Sequence, residues 1–319
     1  MSDVETVRGA VPVESLGRTL MHEHVFVLDP EALQNYSLAY GPAYWDEDAR
    51  VEDAIAKLQA VRAAGIETLV DPTVVGLGRC IPRIQRINAE VDLNIVVATG
   101  LYAFLELPQF YRYRSPDQLA ELFVRDIRDG IEDTGVRAAF LKFAVEEYGL
   151  TADVPTIVSA IAKASLETGA PIMVHTNAVA RSGLLALEAL AREGVDPAAV
   201  IVAHAGDSND LDYLRTIAEQ GALLGCDRFG IEHFNPLDDR IRTLLALVRE
   251  GYADRIVIGH DAACFYDFMV GDEKFADERP DYLLFSREVV PALLQAGIGQ
   301  SQIDAMLVDA PVRFFARPS

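Results

Sequence analysis

Leu-Met-His-Glu-His-Val-Phe-Val, residues 20–27, is the first of eight short apolar segments along the chain. Each segment leads through a polar loop towards a stretch with the helical period of 3.6 residues. The other seven segments are 68–71, 94–100, 138–143, 171–176, 200–205, 222–226 and 255–260. The helical stretches are 51–64, 118–133, 156–168, 184–193, 211–220 and 240–250. This alternation predicts an α/β fold, a (β/α)₈ TIM barrel of eight parallel strands.

Signals at the helix ends agree with this prediction. Ser115 is suited to cap a helix that has Pro116 at its first position. A glycine stands just past five of the predicted helices, at Gly65, Gly169, Gly194, Gly221 and Gly251. The alternative is a doubly wound open sheet, which would carry a glycine-rich phosphate turn after its first strand. This chain has Val25-Phe-Val-Leu28 there instead.

Two loops are longer than a barrel requires. Residues 29–50 follow the first strand and residues 262–283 follow the eighth. Both should lie at the C-terminal face, where barrels build their active sites. Residues 301–315 predict a capping helix with a break marked by Asp309 and Pro311. Because composition does not change along the chain, we expect residues 1–319 to form one domain.

The chain has 319 residues and a formal net charge of −21. Such a surface repels polyanions, so we expect no nucleic acid and no membrane as partner. No stretch of about 18 apolar residues occurs, and the N-terminus lacks the pattern of a signal peptide. The three cysteines, Cys80, Cys226 and Cys264, are widely spaced, which is typical of free thiols in a reducing compartment. The predicted location is cytoplasmic.

Five of the six histidines lie in or at the ends of predicted strands. His22 and His24 are two residues apart on one strand, so their side chains should leave the same face. A lone His-x-His pair is weak evidence for a metal site. However, His175, His204 and Asp261 fall near the carboxyl ends of three further strands. Polar groups at these depths are costly unless they are paired or coordinated, so the pattern predicts a metal site.

Lys142 lies in a predicted strand, Ala-Ala-Phe-Leu-Lys142-Phe-Ala, and faces inward on one phase of the alternation. A bare ammonium is expensive to bury and repels metal cations. If burial lowers its pKa, the neutral amine can take up CO₂ and form an anionic carbamate that bridges two metal ions. The residues alone leave a second interpretation equally open, an ion pair of Lys142 with Glu146 or Glu147.

Together these residues resemble the binuclear amidohydrolase superfamily. Within it, the chain is similar to the phosphotriesterase family, and most of all to the phosphotriesterase-like lactonases, from about residue 9 to residue 315. The motifs that carry the resemblance are Thr-Leu-Met-His-Glu-His-Val-Phe (19–26), Asp-Pro-Thr (71–73), Gly-Leu-Gly-Arg (76–79), Leu-Asn-Ile-Val-Val-Ala-Thr-Gly-Leu-Tyr (93–102), His-Ala-Gly-Asp-Ser (204–208), Asp-Arg-Phe-Gly (227–230) and His-Asp-Ala-Ala-Cys (260–264).

The resemblance implies two divalent metal ions per chain. The implied ligands are His22, His24, Lys142, His175, His204 and Asp261. The histidines of the first strand and the aspartate bind the more buried ion, and the other two histidines bind the more exposed one. Lys142 is carboxylated by CO₂ to N6-carboxylysine, which bridges the ions together with a hydroxide. Zinc is the expected metal, and cobalt, manganese or iron also suit these ligands.

The resemblance also assigns catalytic groups. Tyr102 corresponds to the family tyrosine beside the hydroxide and the bound lactone, and Arg228 hydrogen-bonds near the site and holds the loop after the seventh strand. Asp261 accepts a proton from the hydroxide and passes it to the leaving alkoxide. A core tyrosine and a surface arginine remain the alternatives for the first two. We expect a structural role for His260 and an exposed position for His233.

The implied activity is hydrolysis of N-acyl-homoserine or related lactones, hence quorum quenching, with secondary phosphotriesterase activity. The connection between the seventh and eighth strands is short, as in the lactonases, whereas dedicated phosphotriesterases carry an insertion there. The loop after the eighth strand is apolar. Its expected substrate contacts are Cys264, Phe265 and Phe268, with Tyr266, Met269 and Phe275 nearby. The best-known lactonases have a tryptophan in this eighth loop. This chain differs, because its only tryptophan, Trp45, lies in the loop after the first strand.

Two alternatives stay open on the sequence. One is a phosphotriesterase that hydrolyses organophosphates and is only secondarily a lactonase. The other is a barrel that binds a ligand without catalysis, which the complete set of ligand residues disfavours. The acidic segment 271–279 should repel anionic substrates at the mouth. Family resemblance also implies a homodimer, with the aromatic loop 33–45 as the contact.

Overall fold

Eight parallel strands form the central sheet of the computed structural model, which describes residues 2–42, 44–269 and 281–316. With the four strands of two smaller sheets included, the strands of the described residues are β1 (Asp3–Thr6), β2 (Gly9–Pro12), β3 (Thr19–Leu20), β4 (His24–Val27), β5 (Thr68–Asp71), β6 (Asn94–Gly100), β7 (Phe140–Val145), β8 (Ile172–Thr176), β9 (Val200–Ala203), β10 (Leu223–Cys226), β11 (Ile256–Ile258) and β12 (Ala263–Tyr266). The order of the eight strands in the central sheet is β11-β10-β9-β8-β7-β6-β5-β3. The two edges meet where Met21 N donates to Ile258 O at 2.7 Å. The predicted (β/α)₈ barrel is confirmed.

Helices cover the outside of this sheet. They are α1 (Pro30–Tyr40), α2 (Glu47–Ala63), α3 (Ile81–Asn88), α4 (Gln109–Arg112), α5 (Pro116–Arg128), α6 (Val154–Thr168), α7 (Ser182–Arg192), α8 (Leu211–Glu219), α9 (Leu237–Arg249), α10 (Val290–Gln295), α11 (Gln300–Asp304) and α12 (Ala310–Phe315). The predicted cap of α5 forms, since Ser115 Oγ accepts from Gln118 N and the Gln118 side chain accepts from Ser115 N. Within the described residues, no helix has both the length and the apolar character needed to cross a bilayer.

An apolar layer fills the barrel interior where the strands begin. Each barrel strand or its immediate continuation contributes to it, through Met21, Val70, Val96, Phe140, Met173, Ile201, Leu223 and Val257. Phe314 and Phe315 of α12 pack against Phe140 and close this end. Because alternate residues of a strand point the same way, Lys142 follows Phe140 into the interior one layer nearer the carboxyl ends. The apolar layer is therefore the floor on which the polar residues stand.

The first predicted strand is divided in the structure. β3 belongs to the barrel sheet, but β4 leaves it and pairs in parallel with β12, with His24 opposite Ala263. His22 lies in the break between β3 and β4. The sequence predicted one continuous strand because its apolar pattern continues through the break. The predicted β5 and β6 match the structure, whereas β7 begins two residues later than expected.

Other elements were not anticipated. The antiparallel pair β1–β2 and helix α3 lie outside the predicted segments, and the long loop after the first strand contains α1, whose first turn is capped by Asp29. The chain end does not break at Pro311. A π-helical turn at Ala305–Asp309 leads directly into α12, and such a wider turn accommodates a residue without an N–H. The acidic segment 271–279, which includes Phe275, lies outside the described residues.

Gly183 in α7 tests the packing of helices on the barrel. A Cβ at this position would lie 2.5 Å from Val202 Cγ1 and 2.7 Å from the Tyr213 hydroxyl, both buried. Gly183→Ala should therefore lower the free energy of unfolding by about 1–3 kcal/mol, although alanine is the better helix former. Urea denaturation measures the change. Ala191→Ser on the exposed side of α7 is the control, with an expected change of no more than about 0.5 kcal/mol. A stabilised Gly183→Ala protein would contradict this packing.

Candidate metal centre

A cavity of about 460 Å³ opens at the carboxyl ends of the strands. Five of the six expected ligands line it, namely His22, His24, Lys142, His175 and Asp261. The sixth, His204, lies directly beside it, since its Nε2 is 2.8 Å from His175 Nδ1. The structure therefore brings together all six residues that the sequence singled out on five predicted strands.

The carboxylate of Asp261 lies at the centre of this group. Its Oδ1 is 3.3 Å from His22 Nε2 and 3.2 Å from His24 Nε2, and its Oδ2 is 4.0 Å from His204 Nε2. Donor atoms of His22, His204 and Asp261 all lie within 4.8 Å of one another, which is close enough to share one ion. Asp261 follows β11 with a φ of 54°, a left-handed conformation that is rare for residues other than glycine.

Asp227, at the end of β10, orients two of these rings. His22 Nδ1 lies 2.7 Å from Asp227 Oδ2, and His204 Nδ1 lies 2.9 Å from Asp227 Oδ1. With Nδ1–H donated to this carboxylate, each ring presents the lone pair of Nε2 to the centre. The sequence analysis did not recognise this role. Its signal was the position of the Asp-Arg-Phe-Gly motif at a strand end.

His24 is held in a similar way from β5. Its Nδ1 lies 2.7 Å from Thr73 Oγ1, and the Thr73 hydroxyl in turn donates to Asp71. Asp71 also accepts from Val25 N at 3.2 Å, which ties the ring's own strand to the next one. The Asp-Pro-Thr motif therefore orients a histidine, a function that the sequence analysis had not assigned.

His175 completes the set. Its Nε2 donates to Glu146 Oε1 at 2.7 Å, and Asn177 holds the other oxygen of Glu146 at 3.0 Å. This leaves a lone pair on His175 Nδ1, which faces His204 Nε2. Because the His204 ring also donates its other N–H to a carboxylate, two lone pairs meet 2.8 Å apart. A cation relieves that repulsion, so this donor set fits a divalent metal ion.

The pKa values of the rings follow their burial. Burial lowers the pKa of His22, lowers that of His175 to about 4 and lowers that of His204 well below the usual value. Burial acts the same way on His24, but hydrogen bonds with Asp261 and Asp71 outweigh it and raise the pKa to about 9. Three rings are thus neutral at pH 7, the form that binds metals.

Lys142 is fully enclosed in β7, with a relative exposure of 1 %. Its Nζ has no hydrogen-bond partner among the described residues. The alternative ion pair with Glu146 or Glu147 does not form in that part of the chain, because Glu146 is held by His175 and Asn177. Burial lowers the pKa of Lys142 to about 8. An unpartnered, partly neutral amine beside four histidines fits a lysine that acquires a carboxylate and binds metal.

Tyr102 and Arg228 form one side of the cavity. The Tyr102 hydroxyl lies 3.3 Å from His175 Nδ1, and burial raises its pKa, so it stays protonated. Arg228 Nε donates to Asp261 Oδ2 at 3.0 Å, and its guanidinium stacks on Phe234 at 4.2 Å. The Arg228 side chain is only 11 % exposed, so the alternative of a surface ion pair is wrong.

The loop after the eighth strand contributes only one of its three expected substrate contacts, Phe268, to the described lining of the cavity. Phe268 and Tyr266 line the cavity, whereas Cys264 and Phe265 are not among its described lining residues. Cys264 Sγ faces the Tyr282 hydroxyl, and the Cys264 carbonyl accepts from Lys57 on α2. The Cys264 side chain therefore packs against other residues and does not line the cavity. Phe265 instead lies between Trp45 and Arg50. The apolar character of the loop predicts buried side chains, but it does not tell whether they contact the cavity or other residues.

The remaining histidines are placed as expected. His233 is exposed in the loop after β10. His260 is completely buried and pairs with Glu23, away from the cavity.

Comparisons with known proteins agree with this geometry. Residues 2–315 match the model of the phosphotriesterase family. The phosphotriesterase homology protein of Mycobacterium tuberculosis is 44 % identical, over 99 % of this chain and 98 % of its own length. The aryldialkylphosphatase of Saccharolobus solfataricus is 34 % identical, over 97 % of this chain and 98 % of its own. The solved structure of the phosphotriesterase from Mycobacterium tuberculosis has a TM-score of 0.94 at 44 % identity and covers 99 % of both chains.

Enzymes of this family generally use a binuclear metal centre and act on small molecules. The histidine and aspartate cluster at the barrel mouth is consistent with such a centre. The alternative of a barrel that binds without catalysis is therefore not supported. The chain belongs to the phosphotriesterase family and is a metal-dependent enzyme that hydrolyses ester bonds.

Proposed function

We propose that this enzyme is a lactonase that hydrolyses N-acyl-homoserine or related lactones. The cavity carries the proposal. The histidine and aspartate cluster forms its inner end, and its walls include the apolar side chains of Val27, Leu28, Leu77, Phe104 and Phe268 together with Asp29, Asp267 and Arg228. A neutral ester with an aliphatic tail suits such a pocket, since the ester reaches the histidine and aspartate cluster and the tail contacts the apolar side chains of the walls.

The proposed ligand assignment follows the distances. His22, His24 and Asp261 hold one ion, because both ring nitrogens face the same carboxylate oxygen. His175 and His204 hold the second through their facing nitrogens. For Lys142, the uncharged Nζ attacks the carbon of CO₂, an N–C bond forms and a proton leaves. One C=O π bond of CO₂ opens in this step, and the resulting anionic carbamate would help hold the ions. Zinc suits this set, and cobalt, manganese and iron suit it as well.

The chain's own groups then divide the work of ester hydrolysis. Bound divalent ions supply an acidified water molecule and a positive charge near the carbonyl oxygen. Asp261 accepts the proton as the water oxygen attacks the lactone carbonyl, and it returns the proton to the ring oxygen as the C–O bond breaks. Tyr102 donates its hydroxyl to the oxygen that gains charge. Arg228 keeps Asp261 in place through its Nε.

Organophosphate hydrolysis is the second candidate. The relative from Saccharolobus solfataricus that carries the name aryldialkylphosphatase favours it. The same groups can attack a phosphotriester, because both reactions move charge onto an oxygen beside the metal ions. We place lactones first because the segment between β10 and α9, residues 227–236, is short and contributes only Arg228 to the described lining of the cavity.

Assembly as a homodimer and a cytoplasmic location stay predictions. Support for the dimer comes from α1, in which Tyr36, Leu38 and Tyr40 are exposed.

The first prediction compares substrates on one preparation. The value of kcat/KM for an N-acyl-homoserine lactone should exceed that for paraoxon by at least about tenfold, because the pocket is shaped for a flat ester with a tail. Proton release reports lactone hydrolysis and nitrophenolate absorbance reports paraoxon hydrolysis. Asp261→Asn is the control, and it should reduce both rates. A preference for paraoxon would overturn the lactonase proposal in favour of the second candidate.

The second prediction concerns Lys142. Apo-protein reconstituted with zinc in CO₂-free buffer should regain activity more slowly than in bicarbonate buffer, because the carbamate has to form before both ions are held. Lys142→Met should regain no activity in either buffer. Lys163→Met, at an exposed lysine paired with Asp117, should keep the wild-type dependence on CO₂. Equal recovery rates for the wild-type protein in both buffers would argue against a carbamate.

The third prediction concerns Tyr102. Tyr102→Phe should lower kcat about 10- to 100-fold and leave the metal content unchanged, because the hydroxyl acts on the charge that develops in the transition state. Tyr252→Phe provides a control, since its hydroxyl bonds Glu219 on the surface. Steady-state kinetics together with elemental analysis measure both quantities. A wild-type kcat in Tyr102→Phe would exclude the proposed donor role.

A further inference from the structure

Glu23 stands between the two histidines of the His-x-His motif, yet it points away from the cavity. It and His260 are both completely buried, and the proposed mechanism uses neither. A carboxylate in such a place is costly unless donors surround it. The contacts of Glu23 therefore indicate what it holds.

Three donors meet this carboxylate. Glu23 Oε1 accepts from His260 N at 2.8 Å and from His260 Nδ1 at 2.6 Å. Glu23 Oε2 accepts from Ala262 N at 3.0 Å. The carboxylate thus binds the backbone amides on both sides of Asp261 without touching Asp261 itself.

The residue between those amides has an unusual conformation. Asp261 adopts a φ of 54°, in the left-handed region. Such a conformation persists only where the surroundings hold it. Further bonds fix the same segment, since Asp261 N donates to His22 O at 3.0 Å and His24 N donates to Ala262 O at 2.7 Å.

His260 is oriented from its other side. Its Nε2 accepts from Phe285 N at 3.1 Å, so Nδ1 carries the proton and donates it to Glu23. This fixes the tautomer and keeps the Glu23 carboxylate in one place.

We propose that Glu23 is a positioning residue, whose carboxylate holds the left-handed turn at Asp261 and so aims the Asp261 carboxylate at the metal ions and the reacting water. The proposal rests on the proposed function for the role of Asp261. The competing interpretation is that Glu23 only ties the break after β3 to the segment after β11, in which case its loss would change stability and leave the site geometry alone.

The experiment compares Glu23→Gln with Asp126→Asn. Asp126 is the matched control because it too is a largely buried carboxylate held by two donors, Arg79 and Thr99, outside the cavity. Glutamine at position 23 turns an amide N–H towards Ala262 N, so one flanking amide loses its acceptor. Each protein is loaded with cobalt, and the visible Co²⁺ spectrum, metal content, urea stability, kcat and KM are measured.

In Glu23→Gln we expect an altered Co²⁺ spectrum and a kcat lowered about 10- to 100-fold, with KM within about threefold and the metal retained. Asp126→Asn should keep the wild-type spectrum and kcat, whatever its stability. A wild-type spectrum and kcat in Glu23→Gln would overturn the proposal. The spectrum needs no substrate, so this result is separate from a failure of the wild-type enzyme to hydrolyse lactones.

A second pair of variants decides the question if Glu23→Gln does not fold. His260→Leu removes one donor to Glu23, and His260→Gln restores an N–H at that position. We expect His260→Leu to alter the Co²⁺ spectrum and lower kcat, and His260→Gln to restore both in part. Identical spectra and kcat values for the two variants would overturn the proposal.

Discussion

Burial of the imidazole rings forces each ring to find a partner for its second nitrogen, and the organisation of the site depends on this requirement. Asp227 serves two rings at once, Thr73 serves a third and Glu146 serves the fourth. A ring that donates one N–H outward presents a lone pair inward. Three of the rings are neutral at pH 7 and turn such lone pairs towards the cavity, so this donor set favours positive charge there.

Lys142 differs from the histidines, because its buried Nζ has no hydrogen-bond partner among the described residues. The apolar floor lies directly beneath it, at Phe140, so burial acts on the amine without relief from solvent. The backbone beside it leaves no spare room either, since a Cβ at Gly100 would lie 1.9 Å from Lys142 O. Burial lowers the pKa of Lys142 to about 8, so loss of its proton reduces the cost of burying the amine.

The barrel and the ligand residues could be predicted because each leaves a periodic signal. Apolar alternation gave the strands, and the positions of His175, His204 and Asp261 near strand ends gave the site. The partners of these residues leave no such signal. The carboxylates of Asp227, Glu146 and Glu23 each contact histidines that lie on other strands. Their roles therefore depend on strand register and on the break between β3 and β4. Cys264 and Phe265 were misplaced because apolar character does not tell whether a side chain contacts the cavity or other residues, here Tyr282 and Trp45.

Chemistry and specificity are separated in this molecule. The strand ends carry the reacting groups and are fixed by the barrel, whereas the walls come from loops that contact one another. Asp267 accepts from Asp29 N at 2.5 Å, and its carboxylate also lies 3.3 Å from the Tyr44 hydroxyl, which joins the eighth loop to the first. Trp45 packs against Phe265 across the same boundary. A change in either loop therefore moves the wall that the other supports, and we expect any preference between a flat lactone and a tetrahedral phosphotriester to depend on this shared boundary.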